Sequence, residues 1–154
     1  MEAAAEASRQ TGSAIQVHTE KGQDAEKILE FFVGRGVPAE RLVLCHMDKR
    51  PDFGLHSELA RAGALLEYDT FFRPKYDPEH TLWPLLEQMV AGGWARSLAL
   101  AGDLADARDW RVHGGRYGLS GLLTHVLPCL RQMGLPEHKI TQLLGENIAQ
   151  RLAR

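Results

Sequence analysis

Three short apolar runs in this chain stop abruptly on a residue type that binds metals, and that pattern constrains the fold more than any other feature. Leu42-Val43-Leu44-Cys45 ends on His46, and Ala14-Ile15-Gln16-Val17 ends on His18. Ser97-Leu98-Ala99-Leu100-Ala101-Gly102 ends on Asp103. Runs this short, rich in Leu, Val and Ile and entered from turns such as Glu40-Arg41, read as buried strands of a parallel sheet. A fourth run, Ala64-Leu65-Leu66-Glu67-Tyr68-Asp69, completes the set. One βα unit of about 30 residues fits between His18 and His46, and two fit between His46 and Asp103. The expected fold is therefore α/β, with strands near 14–18, 42–46, 64–68 and 97–102 in one unit spanning residues 1–154. Ligands in such folds gather at the carboxyl ends of the strands. Two histidines and an aspartate placed there make a donor set suited to zinc, manganese or cobalt.

The segments between these runs read as helices. Residues 2–11 are rich in Ala and Glu and stop before Gly12; residues 25–33 follow Asp24 as an N-cap; 55–62 end at Gly63. Residues 79–91 carry Leu82, Leu85, Leu86 and Met89 on one face, with Pro84 expected to kink the helix or shift its start. A helix over 119–132, bent at Pro128, a short one from Pro136 and a last one over 146–153 complete the chain.

Charge and composition exclude other classes. A net charge of -2, with no basic run longer than Lys49-Arg50, leaves no electrostatic footprint for nucleic acid. No apolar stretch approaches the roughly 18 residues of a membrane span. The start, Met1-Glu2-Ala3-Ala4-Ala5-Glu6, is acidic, the opposite of a signal peptide's basic region. Two cysteines, Cys45 and Cys129, make no disulfide framework, so both are expected to be small buried hydrophobes in a reducing, cytoplasmic protein.

Four segments then carry a resemblance. Ile15-Gln16-Val17-His18-Thr19-Glu20, Leu44-Cys45-His46-Met47-Asp48, Leu66-Glu67-Tyr68-Asp69-Thr70-Phe71 and Leu100-Ala101-Gly102-Asp103 resemble the second half of the phosphotriesterase family, within the metal-dependent amidohydrolase superfamily. Gly114-Gly115-Arg116-Tyr117-Gly118, Leu127-Pro128-Cys129-Leu130 and Glu146-Asn147 continue it, so the likeness runs in order along nearly the whole chain. It implies the C-terminal half of a (β/α)8 TIM barrel with a binuclear site, zinc foremost. By that correspondence His18 and His46 ligate the second metal and Asp103 the first. Asp103 is also the catalytic residue, receiving the proton of a metal-bound hydroxide that attacks a lactone or an organophosphate triester. A bound metal lowers the pKa of water to about 7, which makes hydroxide available at neutral pH.

The departures from the family pattern are as informative. The chain has no His-x-His pair, and the strand that would carry the bridging carboxylate falls before Met1. The metal site is therefore expected to be incomplete and the isolated chain inactive. Asn147-Ile148-Ala149 stands where the family has Asn-Pro-Ala. Relatives acting on phosphorylated sugar lactones carry a basic and an aromatic residue where this chain has Asp106 and Asp109. Arg108 is the one residue placed to substitute.

Arg73 and Lys75, in the long loop after the third strand, are candidate substrate-binding cations beside Arg108. Glu20 and Asp48 read either as groups that orient the histidines or as solvated loop acids. Trp110, His113 and Tyr117 read either as a pocket mouth or as loop packing. His56, His80, His125 and His138 fall on helices and read as surface or packing residues. The expected partners are a small-molecule ester and either a missing N-terminal half or a second copy. Ile15, Val17, Val43, Leu65 and Leu98 are expected to line the faces that the missing strands would have covered. The competing reading is a non-catalytic half-barrel module.

Overall fold

The structure, a computed structural model, describes residues 1–153. Its sheet is wholly parallel and grows in chain order: β1 (Ile15–His18), β2 (Leu42–Cys45), β3 (Leu65–Tyr68) and β4 (Leu98–Leu100). A doubly wound sheet reverses its strand order part-way, whereas this one adds each strand on the same side, as in a barrel segment. Helices α1 (Glu2–Thr11), α2 (Ala25–Val33), α3 (Phe53–Ala62) and α4 (Leu82–Ala91) alternate with the strands. Three further helices, α5 (Leu127–Gln132), α6 (Glu137–Thr141) and α7 (Asn147–Leu152), follow β4. Among the described residues no helix is long and apolar enough to cross a membrane.

The helix ends show local chemistry at work. α3 begins earlier than the periodicity indicates, because the Asp52 carboxylate accepts from the Leu55 N–H at 3.0 Å and caps it. Pro84 has no N–H, so it is tolerated only in the first turn, and α4 accordingly starts at Leu82 rather than 79. Asp24 occupies the N-cap position of α2 but does not cap it. Its backbone is left-handed and its carboxylate pairs with Lys27 at 2.7 Å instead. The bend expected at Pro128 is a wide π-helical turn over Leu122–Val126, and a second such turn, Gln142–Glu146, joins α6 to α7 in place of the expected break.

The two faces of the sheet differ in character. On the helix side, Leu44, Leu66, Tyr68, Leu98 and Leu100 pack against Leu59, Leu86 and Met89, while Ile15 and Val17 pack with Ala5, Phe32 and Leu42. Ile15, Val17 and Leu98 thus point into the helix layer and not toward the open face. The alternation of a strand puts their neighbours there instead. That inner face holds Gln16, Cys45 and Glu67, with the Gln16 amide 3.3 Å from Cys45 Sγ and 3.2 Å from Glu67 Oε2. Below them Val43, Leu65 and Ala99 form an apolar patch that Ile148 of α7 covers. α7 is held in place by the Asn147 amide, which donates to the carbonyls of Ala95 and Leu98, and by Arg151, which donates to those of Glu40 and Gly63. Cys45 is buried as expected, but Cys129 is only half-buried.

Two predictions follow from this packing. Asn147→Ala strands two buried carbonyls at about 1–3 kcal/mol each, so chemical denaturation is expected to show a loss of about 2–6 kcal/mol. A loss under about 0.5 kcal/mol would show that α7 does not brace the sheet.

The second concerns His56, which is fully buried with Nδ1 2.6 Å from Tyr68 Oη. Burial pushes its pKa down to about 4. From pH 6.5 downward the unfolded chain takes up a proton that the folded chain refuses until about pH 4. Stability from this group is therefore intact above pH 6.5 and falls by about 3 kcal/mol across that window. Urea melts of His56→Gln should show a correspondingly shallower acid dependence than the parent chain, and identical slopes would count against the assignment.

Candidate metal centre

His18 ends β1, His46 follows β2, Asp69 follows β3 and Asp103 lies just past β4. Parallel strands all finish at one edge, so these four side chains meet there. The backbone helps: His46 (φ 63°) and Asp103 (φ 40°) both adopt the left-handed conformation, which ends each strand with a sharp change of direction. His46 Nε2 lies 2.9 Å from His18 Nδ1, and His46 Nδ1 lies 2.6 Å from Asp69 Oδ2. One donor atom each from His46, Asp69 and Asp103 falls within 4.8 Å of the others.

Burial sets the charge of this group. Asp69 is fully buried, and desolvation together with the nearby Asp48 charge raises its pKa to about 8. Desolvation and the Lys49 charge lower that of His46. Both directions favour the uncharged forms of His46 and Asp69, and the hydrogen bond between them holds the ring with Nε2 facing His18. Asp69 Oδ1 is buried without a hydrogen-bond partner. Two imidazoles, a neighbouring carboxyl group and an unpaired buried oxygen are a donor set that fits a divalent cation. His46, Asp69 and Asp103 are the groups whose donor atoms converge closely enough to hold such an ion, and His18, exposed at the end of β1, stands beside them against His46.

The surrounding loops are tied down by side chains rather than by apolar packing. Asp48 accepts from the backbone N–H of Thr70 at 2.8 Å and from the Thr70 hydroxyl, so it locks the loop after β2 to that after β3. It orients no histidine, contrary to one reading of the sequence. Glu20 Oε2 lies 3.6 Å from His18 Nε2, both side chains being exposed. Thr19 Oγ1 donates to the Cys45 carbonyl at 2.6 Å.

Beside Asp103 a cavity of about 140 Å³ is lined by Phe72, Arg73, Arg108, Asp109, Arg116 and Tyr117. Phe72 and Tyr117 stack with ring centres 4.5 Å apart. Arg73 Nη2 is 3.0 Å from Asp103 Oδ2 and 3.7 Å from Asp109 Oδ2, and the Lys49 ammonium is 3.9 Å from the same Asp103 oxygen. Arg108 is largely exposed and pairs with Asp106 at 2.6 Å. Lys75 does not reach the cavity. It is exposed on the turn Pro74–Tyr76, its ammonium 4.7 Å from the centre of the Tyr76 ring. Trp110 and His113 are exposed on the loop after β4. His125 packs near Tyr117 and Phe72, while His80 and His138 are at the surface.

The sequence profile of the phosphotriesterase family matches residues 1–152. The chain belongs to the phosphotriesterase family. It is 29% identical to a phospho-furanose lactonase of Mycoplasmopsis synoviae, covering 99% of this chain and 45% of that one. It is 28% identical to the phosphotriesterase homology protein of Escherichia coli, covering 96% and 50%. Among solved structures, a lactonase from Listeria monocytogenes superposes with a TM-score of 0.90 at 25% identity, over 97% of this chain and 47% of that one. The E. coli phosphotriesterase homology protein, solved with phosphate in its active site, also gives 0.90 at 28% identity, over 96% and 51%. The chain thus spans about half the length of the family members it matches, and its sheet is half of a TIM barrel.

Asp69 and Arg116 escaped the sequence reading. Asp69 carried the same signal as His46, a titratable residue closing an apolar run. Arg116 carried none, since only the folding of the loop after β4 brings it beside Arg73. Asp69→Asn is expected to lower cobalt or zinc affinity by about 10–100-fold, read by optical or calorimetric titration. Unchanged affinity would mean that Asp69 merely packs against the His46 ring.

Proposed function

We propose that this chain is the C-terminal half of a metal-dependent ester hydrolase of the phosphotriesterase and lactonase type. The observation that carries the reading is the meeting of the two strand-end imidazoles, 2.9 Å apart, with Asp103 and Asp69 beside them. On this reading His18, His46 and Asp103 are metal ligands, and zinc is the natural ion for them. The metal, when bound, supplies a hydroxide at neutral pH and polarises the ester oxygen. Asp103 would be the carboxylate placed to accept a proton at this end of the strands. Asp69 keeps the His46 ring in one tautomer and orientation. Arg73, Arg108 and Arg116 receive an anionic group of the substrate, and Phe72 and Tyr117 wall the cavity. The phosphate bound by the E. coli relative and the name of the phospho-furanose lactonase of M. synoviae support an anionic lactone over a neutral organophosphate triester.

The rest of the site belongs, on this reading, to a complementary four-stranded half, with self-association as the other way of covering the sheet edges at β1 and β4. A second reading, a non-catalytic half-barrel, is favoured by one feature: Asp103 is already neutralised by Arg73 and Lys49. Zinc-loaded chain alone is expected to hydrolyse lactones or paraoxon-like triesters little above background. Adding an N-terminal half from a relative should restore turnover, and His46→Ala should abolish the restored rate. Robust turnover by the chain alone, lost in His46→Ala, would refute the half-site reading. No gain with any complementing half would favour the non-catalytic one.

A further inference from the structure

Arg73 stands between two places that each want it. One Nη2 atom reaches Asp103 Oδ2 at 3.0 Å and also donates to the Asp103 carbonyl, while Asp109 Oδ2 lies 3.7 Å away. The same side chain lines the cavity that Arg108 and Arg116 share. Its Nε is buried and makes no hydrogen bond, so the guanidinium is held by one corner and its fork is incompletely used. Asp103 Oδ2 bears the Lys49 ammonium as well, at 3.9 Å. A carboxylate oxygen that carries two cations cannot take a divalent ion at the same time without strong like-charge repulsion.

We propose that Arg73 couples two ligands: a divalent ion on Asp103 releases its guanidinium to an anion in the adjoining cavity, so that metal and anion bind cooperatively. The inference rests on the metal-site reading above and adds a linkage to it. Without the ion, Asp103 and Asp109 neutralise Arg73, and the cavity offers little net positive charge to a phosphate or carboxylate. With the ion, Arg73 leaves Asp103 for the nearest space, which is the cavity. There its planar fork pairs two oxygens of a tetrahedral dianion, beside Arg108 and Arg116. Lys49 is nearly buried and has no such room, so it stays. Because linkage is reciprocal, an anion that captures Arg73 frees Asp103 and tightens metal binding by the same factor.

The test is a Co²⁺ titration of the full chain, followed by visible absorption, with and without inorganic sulfate at constant ionic strength. Sulfate should tighten Co²⁺ binding by about fivefold or more in the parent chain. In Arg73→Gln the two Co²⁺ affinities should agree within about twofold. Arg73→Lys, which keeps the charge but loses the fork, should retain only part of the effect, and Arg116→Gln should weaken it from the cavity side. An equal sulfate effect in the parent chain and Arg73→Gln would mean that the anion ligates the metal directly, and the coupling is then wrong. No sulfate effect in the parent chain would also overturn it. Failure of the parent chain to bind Co²⁺ at all would instead remove the metal site itself, and the coupling with it. Should Arg73→Gln not fold, the comparison with Arg73→Lys and Arg116→Gln carries the same decision.

Discussion

The hydrogen bond between His46 and Asp69 holds the site together, and it exists because two parallel strands end side by side. At 2.6 Å and almost wholly buried, it fixes one imidazole and aims its other nitrogen at His18. Neither partner could be ionised cheaply alone in so dry a place, since a lone buried charge costs several kcal/mol. A hydrogen bond between their uncharged forms lets both remain. The neighbouring contact between Asp48 and Thr70 braces the same two loops one step further out. The strand-end geometry is thus secured by polar groups that satisfy one another, and apolar packing is left to the helix side of the sheet.

Much of the fold was legible in the sequence because parallel strands buried on both sides must be short apolar runs, and these had few alternative readings. The errors came where one-dimensional pattern carries no sense of direction. Ile15, Val17 and Leu98 are as apolar as Val43 and Leu65, but strand alternation sends them to the opposite face, and only the register against the neighbouring strands decides which face is which. The helix starts moved for local reasons: the Asp52 cap drew α3 back, and Pro84 pushed α4 forward. Both signals were present in the sequence, and the Pro84 shift was one of two outcomes it allowed.

The site was less legible than the fold, and unevenly so. His18, His46 and Asp103 stand at ends of recognisable strands, so their convergence follows from topology. Lys75 and Arg73 are two residues apart on one loop, and nothing in the sequence says that the turn at Pro74–Tyr76 carries Lys75 outward while Arg73 points in. Arg116 is farther still from any pattern, because it reaches the cavity through a loop whose path depends on tight contacts such as Gly115 against the backbone of Asp109. A side chain at Gly115 would collide with that backbone, so the glycine is what allows the loop to fold back over Asp103.

The inner face of the sheet sets terms for whatever completes it. Its lower layer is already closed: Val43, Leu65 and Ala99 are buried under Ile148, and α7 stays there through bonds to four main-chain carbonyls. The middle layer is different in kind. Gln16 reaches both Cys45 and Glu67, and desolvation raises the pKa of Glu67 even with the face uncovered. Barrel interiors are packed layers of side chains, so any half that docked here would bury this layer. An apolar opposing surface would leave Glu67 more deeply buried with only Gln16, Cys45 and Asp69 around it, at a cost of several kcal/mol if the carboxylate stays charged. A surface offering a donor or a cation at that level removes the cost and adds a charge-assisted hydrogen bond. The polarity of this middle layer therefore favours an opposing surface that carries a donor or a cation, one layer below the edge where His18 and His46 stand.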